Sequence, residues 1–216
     1  MTGVARAGTG GGTARMGLVL LHGRGGSADD ILRLGAALGL PDLALAAPQA
    51  PGHSWWPTSF LAPSAQMERH VAQGLAAVDA AIAALTAEGL DCGRIALAGF
   101  SQGGCLALEY AARRGGLAAV FGLSAGLVGT GDAGPTPDPA LYGHAPKRFD
   151  YATDLTGLPV TITVHEQDPH IPLKRAEDSR AAFAALGANA ALHVEPGPGH
   201  GLTDAGLTAM RATLNH

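Results

Sequence analysis

The sequence predicts an α/β protein with a mostly parallel sheet covered by helices on both faces, and three observations predict it. Short apolar runs alternate with helix-length segments along the chain. Those runs are nearly continuous in apolar residues rather than alternating with polar ones, the pattern of strands buried on both sides. Several of them end in glycine-rich loops, the sharp turns that a strand-to-helix crossover needs.

Taken in order, residues 1–16 form a Gly-rich N-terminal segment, and residues 17–21 a buried strand that feeds the loop His22-Gly23-Arg24-Gly25-Gly26. Ser27 is placed to cap a following helix, with Asp29 and Asp30 in its first turn and Ile31, Leu32, Leu34 and Leu38 on its apolar face. Residues 43–47 read as a second strand stopped by Pro48. Residues 49–64, with Trp55, Trp56, Phe60 and prolines, read as a structured loop. An Ala-rich helix is expected over 66–88, a strand over 94–98 and a helix over 102–113, so that Ser101 sits in a strand, tight turn, helix unit.

Strands follow at 118–123 and at the β-branched run 160–164, separated by a Gly/Pro-rich insertion, 129–157. A helix over 174–186, a last strand over 190–194 and a closing helix over 203–214 complete the series. With no internal repeat, residues 1–216 are expected to form a single domain.

Composition narrows the function. With 47% hydrophobic and 15% charged residues the chain is outside the disordered range, and a net charge of -4 without a Lys/Arg cluster argues against nucleic acid or an anionic membrane as partner. Two cysteines, Cys92 and Cys105, are too few for a disulfide scaffold and read as reduced thiols, Cys105 as a small buried apolar group. No segment has the apolar length of a signal peptide core or a membrane span, so a cytoplasmic protein acting on small molecules is expected, which leaves a homodimer open.

The segment Gly99-Phe100-Ser101-Gln102-Gly103 carries the chemistry. A serine hydroxyl attacks a carbonyl only if it is presented sharply and a neighbour takes its proton. Glycines two before and two after Ser101 permit a strained elbow, and the helix that follows supplies the Gln102 backbone N–H. The competing reading, an ordinary tight turn, loses ground because a strand precedes the motif and a helix follows it. Asp168 and His200 then come in the chain order Ser, Asp, His, each just past a strand end, where open α/β sheets form their sites. His200 is the expected general base and Asp168 the group that orients it. The loop after the first strand can aim the Arg24 backbone N–H at an oxyanion beside that of Gln102.

Four blocks, Leu20-Leu21-His22-Gly23-Arg24-Gly25-Gly26, Gly99-Phe100-Ser101-Gln102-Gly103-Gly104, Asp168-Pro169-His170-Ile171-Pro172 and Gly197-Pro198-Gly199-His200, resemble the signature blocks of the phospholipase/carboxylesterase family of α/β-hydrolases, which includes acyl-protein thioesterases. The resemblance runs in one register from about Leu18 onward. It implies cofactor-free hydrolysis of carboxylic esters through an acyl-enzyme, with Ser101, Asp168 and His200 at the triad positions, while the compact chain, with short loops and one insertion as a minimal cap, points to an open cleft for short- to medium-chain esters. Arg24 replaces the leucine usual in eukaryotic thioesterases and points to a bacterial-type branch. His165-Glu166 stands where the strand before the acid usually ends in a small residue, and Pro198 where methionine is frequent. The region before Leu18 looks shorter than the family's leading strands.

Thioesterase or lysophospholipase activity would use the same triad, and a catalytically inactive binding module would keep the fold without it. Trp55, Trp56 and Phe60 either line a substrate pocket or pack in the core. His165, Glu166, Asp168 and His170 share one short loop without a separate partner set, so no metal is expected.

Overall fold

Within the first buried strand successive side chains point to opposite faces. Leu18 and Leu20 enter one apolar layer, Val19 and Leu21 the other, and all four are fully buried. The computed structural model describes residues 3–215, so positions 1, 2 and 216, at the ends of the N-terminal segment and of the expected domain, lie outside the described residues.

Among the described residues nine strands and five α-helices follow in the order β1 (Val4–Gly8), β2 (Met16–Leu21), α1 (Ala28–Ala37), β3 (Leu43–Pro48), α2 (Ser64–Thr86), β4 (Ile95–Phe100), α3 (Gln102–Arg114), β5 (Ala119–Leu123), β6 (Gly131–Asp132), β7 (Lys147–Arg148), β8 (Pro159–Gln167), α4 (Leu173–Ala185), β9 (Asn189–Pro198) and α5 (Asp204–Leu214). The main sheet has seven strands in the order β1-β3-β2-β4-β5-β8-β9, parallel except for β1. Helices α2, α3 and α4 contribute to the apolar layer on one face, and α1 and α5 to the layer on the other. This is the α/β-hydrolase arrangement.

β2 pairs with β3 on one side and with β4 on the other, so the strand order reverses between β2 and β4. A crevice opens outside the carboxyl ends at such a reversal, which places the loop after β2 beside the turn after β4.

Two differences from the sequence reading have clear physical causes. The Gly-rich N-terminal segment contains a strand, β1, running antiparallel to β3 with Val4 opposite Pro48. As an edge strand it is half-exposed and lacks an apolar run, and Arg6 fastens it by donating to Leu45 O at 3.1 Å and pairing with Glu88. The Gly/Pro-rich insertion 129–157 holds a small antiparallel ribbon, β6–β7, as well as irregular chain.

The ribbon anchors the start of α2, which begins at Ser64 rather than at 66. Pro63, in the capping position, offers no side-chain acceptor, and the Asp132 carboxylate on β6 accepts the Ser64 N–H at 3.1 Å instead. Buried Lys147 on β7 pairs with Asp132 and donates to Ala62 O at 2.6 Å. At the root of the insertion the buried Glu109 carboxylate accepts the N–H groups of Val128 and Gly129 at 3.1 and 3.2 Å and the Tyr151 hydroxyl at 2.8 Å. At α1 the expected cap is present: Ser27 Oγ accepts the Asp30 N–H, and the Asp30 carboxylate accepts the Ser27 N–H at 3.1 Å.

Candidate active site

Between β4 and α3 a single residue makes the turn, Ser101, at φ 53° and ψ −118°. A non-glycine residue in that region is strained by roughly 1–3 kcal/mol and persists only where its surroundings over-determine it. Here they do. A Cβ on Gly99 would lie 2.2 Å from Gly103 O, and one on Gly103 would lie 2.2 Å from Leu21 O, so the elbow closes against itself and against β2 only because both positions are glycine. Ser101 N–H donates to Leu123 O at 2.8 Å, tying the turn to the end of β5.

Three side chains meet at this turn. His200 Nε2 lies 2.8 Å from Ser101 Oγ, and His200 Nδ1 lies 2.7 Å from Asp168 Oδ2. The other oxygen of Asp168 accepts the N–H groups of His170 at 2.8 Å and Ile171 at 3.0 Å. Burial pushes the Asp168 carboxyl up, but the hydrogen bonds from His200 and from these two backbone groups outweigh it and hold it below the ordinary carboxylate range. An ionised Asp168 keeps the His200 proton on Nδ1, which leaves Nε2 as the acceptor for the Ser101 hydroxyl.

The strand ends deliver these residues. β8 runs on through Gln167 and β9 through Pro198, both past the expected ends at 164 and 194, so that Asp168 and His200 leave the sheet together. His165 packs under the turn that carries His200, where a Cβ on Gly199 would be 2.4 Å from its ring. Glu166 accepts the Gly197 N–H at 3.3 Å. Among the described residues no group of three or more His, Cys, Asp or Glu side chains is placed to hold a metal ion.

The loop after β2 forms the opposite wall. His22 is buried, which lowers its pKa and keeps it neutral. Its Nε2 accepts the Ala50 N–H at 3.1 Å, so Nδ1 bears the proton and donates it to Gly23 O at 2.7 Å. The N–H groups of Gly25 and Gly26 donate to His53 O and Gly23 O, whereas the Arg24 N–H makes no hydrogen bond among the described residues. Gln102, as the first residue of α3, likewise has no intrahelical partner for its N–H. Both residues line the cavity at Ser101. The Arg24 guanidinium donates to Pro57 O and Thr58 O, holding the 57–58 segment over the site.

That cavity, of about 550 Å³, brings Trp56 and Phe60 to Ser101 but not Trp55. Trp55 is a correction to the pocket reading: its indole N–H donates to His22 O at 2.9 Å and its ring lies against the His22 ring, so it supports the loop from behind. Phe60 is backed by the buried Arg175, whose guanidinium lies 5.8 Å from the Phe60 ring centre and 5.6 Å from that of Phe149. Cys105 reaches the cavity wall, but burial pushes its thiol up to about 12, which keeps it neutral.

Sequence reasoning missed three contributors. The Gln102 side chain accepts the Trp55 N–H at 2.7 Å and donates to Trp56 O at 2.8 Å, joining the elbow to the 49–64 loop. Tyr142 and His144, from the insertion, line the cavity. An aromatic residue inside a Gly/Pro-rich stretch was the one available signal for Tyr142, and it carries no periodicity.

A family model described as phospholipase/carboxylesterase matches residues 9–133. Among solved structures, a phospholipase/carboxylesterase from Dyadobacter fermentans is similar at 31% identity with a TM-score of 0.85, over 100% of this chain and 97% of its own. Esterase PE8 is similar at 27% identity and a TM-score of 0.75, over 99% and 98% of the two chains. A Bacillus cereus carboxylesterase shares the fold at 18% identity, with a TM-score of 0.76 over 100% of this chain and 94% of the other. No curated protein sequence matches the chain significantly.

Proposed function

Because the chain belongs to the phospholipase/carboxylesterase family of α/β-hydrolases, we propose that it is a serine carboxylesterase that cleaves short- to medium-chain esters through an acyl-enzyme. The observation that carries this reading is the unbroken line from Asp168 Oδ2 through His200 to Ser101 Oγ, at 2.7 and 2.8 Å.

Ser101 Oγ attacks the ester carbonyl carbon while His200 Nε2 takes its proton, and the N–H groups of Arg24 and Gln102 receive the charge that develops on the carbonyl oxygen. Collapse expels the alcohol, which leaves with the proton from His200, and the acyl group stays on Ser101. Water, deprotonated by His200, then attacks the acyl-serine, releasing the acid and restoring the hydroxyl. Asp168 remains ionised and stabilises the imidazolium in both half-reactions.

Three observations support the finer points. Phe60, held in place by Arg175, lies on the cavity wall, which favours acyl groups of limited length. Cys92 is an exposed free thiol, which suits a reducing, cytoplasmic setting. All the reacting groups belong to one seven-stranded sheet unit, in keeping with a single domain acting on a small-molecule ester.

The test is hydrolysis of p-nitrophenyl esters from acetate to decanoate beside the matching thioesters. Turnover with a maximum at short to medium oxygen esters is expected, unchanged by EDTA, and lost by at least about 10³-fold in Ser101→Ala. Preference for thioesters would move the reading to a thioesterase, and comparable turnover by Ser101→Ala would remove the nucleophile.

A further inference from the structure

The acid Asp168 is held by more than its own loop. The Tyr142 hydroxyl, from the insertion 26 residues earlier in the chain, donates to the Asp168 backbone carbonyl. The next residue, Pro169, has no N–H, so the two donors that fold the acid loop onto its own carboxylate come only at His170 and Ile171. Between the end of β8 and those two donors the backbone is anchored from outside by Tyr142.

Tyr142 is itself fixed in an unusual way. It stands at φ 56° and ψ 34°, left-handed backbone that a tyrosine adopts only where its surroundings impose it. They do so through a compact turn: the Asp138 side chain accepts the Ala140 N–H at 2.9 Å, the Tyr142 N–H donates to Pro139 O, and the N–H groups of Gly143 and Asp138 donate to Asp138 O and His144 O. The residue is 47% exposed, so burial is not what recruits it.

Resting on the reading of Ser101, His200 and Asp168 as a triad, we infer that Tyr142 is a positioning residue for the acid, acting through the Asp168 carbonyl to aim Oδ2 at His200 Nδ1. A tilt of the Asp168 peptide swings the carboxylate about the same Cα. The bond to His200 then lengthens while the two backbone donors still compete for Oδ1. Loss of that bond weakens the stabilisation of the imidazolium that forms as His200 takes the Ser101 proton. The insertion thereby becomes part of the proton relay without touching the reacting atoms.

The variant Tyr142→Phe keeps the ring and removes only the hydroxyl. On p-nitrophenyl acetate it is expected to lower kcat by about tenfold with KM within about twofold. The proton NMR signal of His200 Nδ1–H, far downfield when the Asp168 bond is short, is expected to move upfield and broaden. That readout needs no turnover. An unmoved signal, or a change confined to KM, overturns the positioning role, while a shifted signal in a protein whose Ser101→Ala variant still turns over overturns only the triad reading. Should Tyr142→Phe be poorly folded, Asp138→Ala, which loosens the turn from a distance, is expected to shift the same signal in the same direction, and its failure to do so also overturns the inference.

Discussion

A methyl group on Gly99 would lie 2.2 Å from the carbonyl oxygen of Gly103, closer than any real side-chain carbon approaches an oxygen. The two glycines that bracket Ser101 are therefore in effective contact, and the turn between them has no slack.

Gly99→Ala and Gly103→Ala are accordingly expected to destabilise the protein by about 3 kcal/mol or more, since backbone rather than a flexible side chain must move. Chemical denaturation of the soluble fraction measures this. A variant that unfolds at the wild-type midpoint would mean that the elbow relaxes freely.

At Ser101 itself stability and turnover should separate. Ser101→Gly and Ser101→Ala both lose the hydroxyl and are both expected to be inactive, but only alanine retains a Cβ at φ 53°. The glycine variant should be the more stable of the two by about 1 kcal/mol, the strain released less the entropy that glycine adds to the unfolded chain. Thermal melts of the pair decide it.

Asp168 links the site to pH. Its carboxyl lies below the ordinary value of 3.8 in the folded protein, so the unfolded chain binds the proton more tightly. The stability that this supplies is complete above about pH 4, and it is lost as pH falls through the lower folded value. Asp168→Asn should flatten the acid side of the stability curve measured from pH 7 down to pH 2, and lower kcat by about 10⁴-fold at neutral pH. An unchanged acid limb would detach the carboxylate from the stability of the fold.

The aromatic residues of the 49–64 loop should divide by role. Trp55→Phe removes the indole donor to His22 O and is expected to lower stability by about 1–2 kcal/mol while leaving the acyl-length optimum in place. Phe60→Ala is expected to move that optimum to longer chains. Ester-length profiles of the two variants make the comparison, and a shifted optimum in Trp55→Phe would return Trp55 to the pocket.

What could be read in advance follows the range of the interactions involved. The strand-turn-helix unit at Ser101 is written locally, in apolar runs and glycines a few residues apart, and so are the strand ends that carry Asp168 and His200. The Asp132 cap on α2, the Gln102 amide on Trp56 O and the Tyr142 hydroxyl on Asp168 O link residues 68, 46 and 26 positions apart. No local periodicity encodes such contacts. β1 was hidden for a related reason, because an edge strand need not be apolar when an arginine and its partner hold it.

The buried Lys147 that joins the ribbon to Ala62 and Ser64 has a consequence for transplantation. The ion pair between Lys147 and Asp132 lies within the insertion, and the hydrogen bonds of Lys147 to Ala62 O and Ser64 Oγ clamp the insertion onto the end of the tryptophan loop. A chimera that borrows residues 129–157 from a relative, to change what the crevice accepts, carries its own ion pair with it but must still meet the backbone acceptor at Ala62 and the hydroxyl at Ser64. Otherwise the buried ammonium keeps its carboxylate but loses its other acceptors.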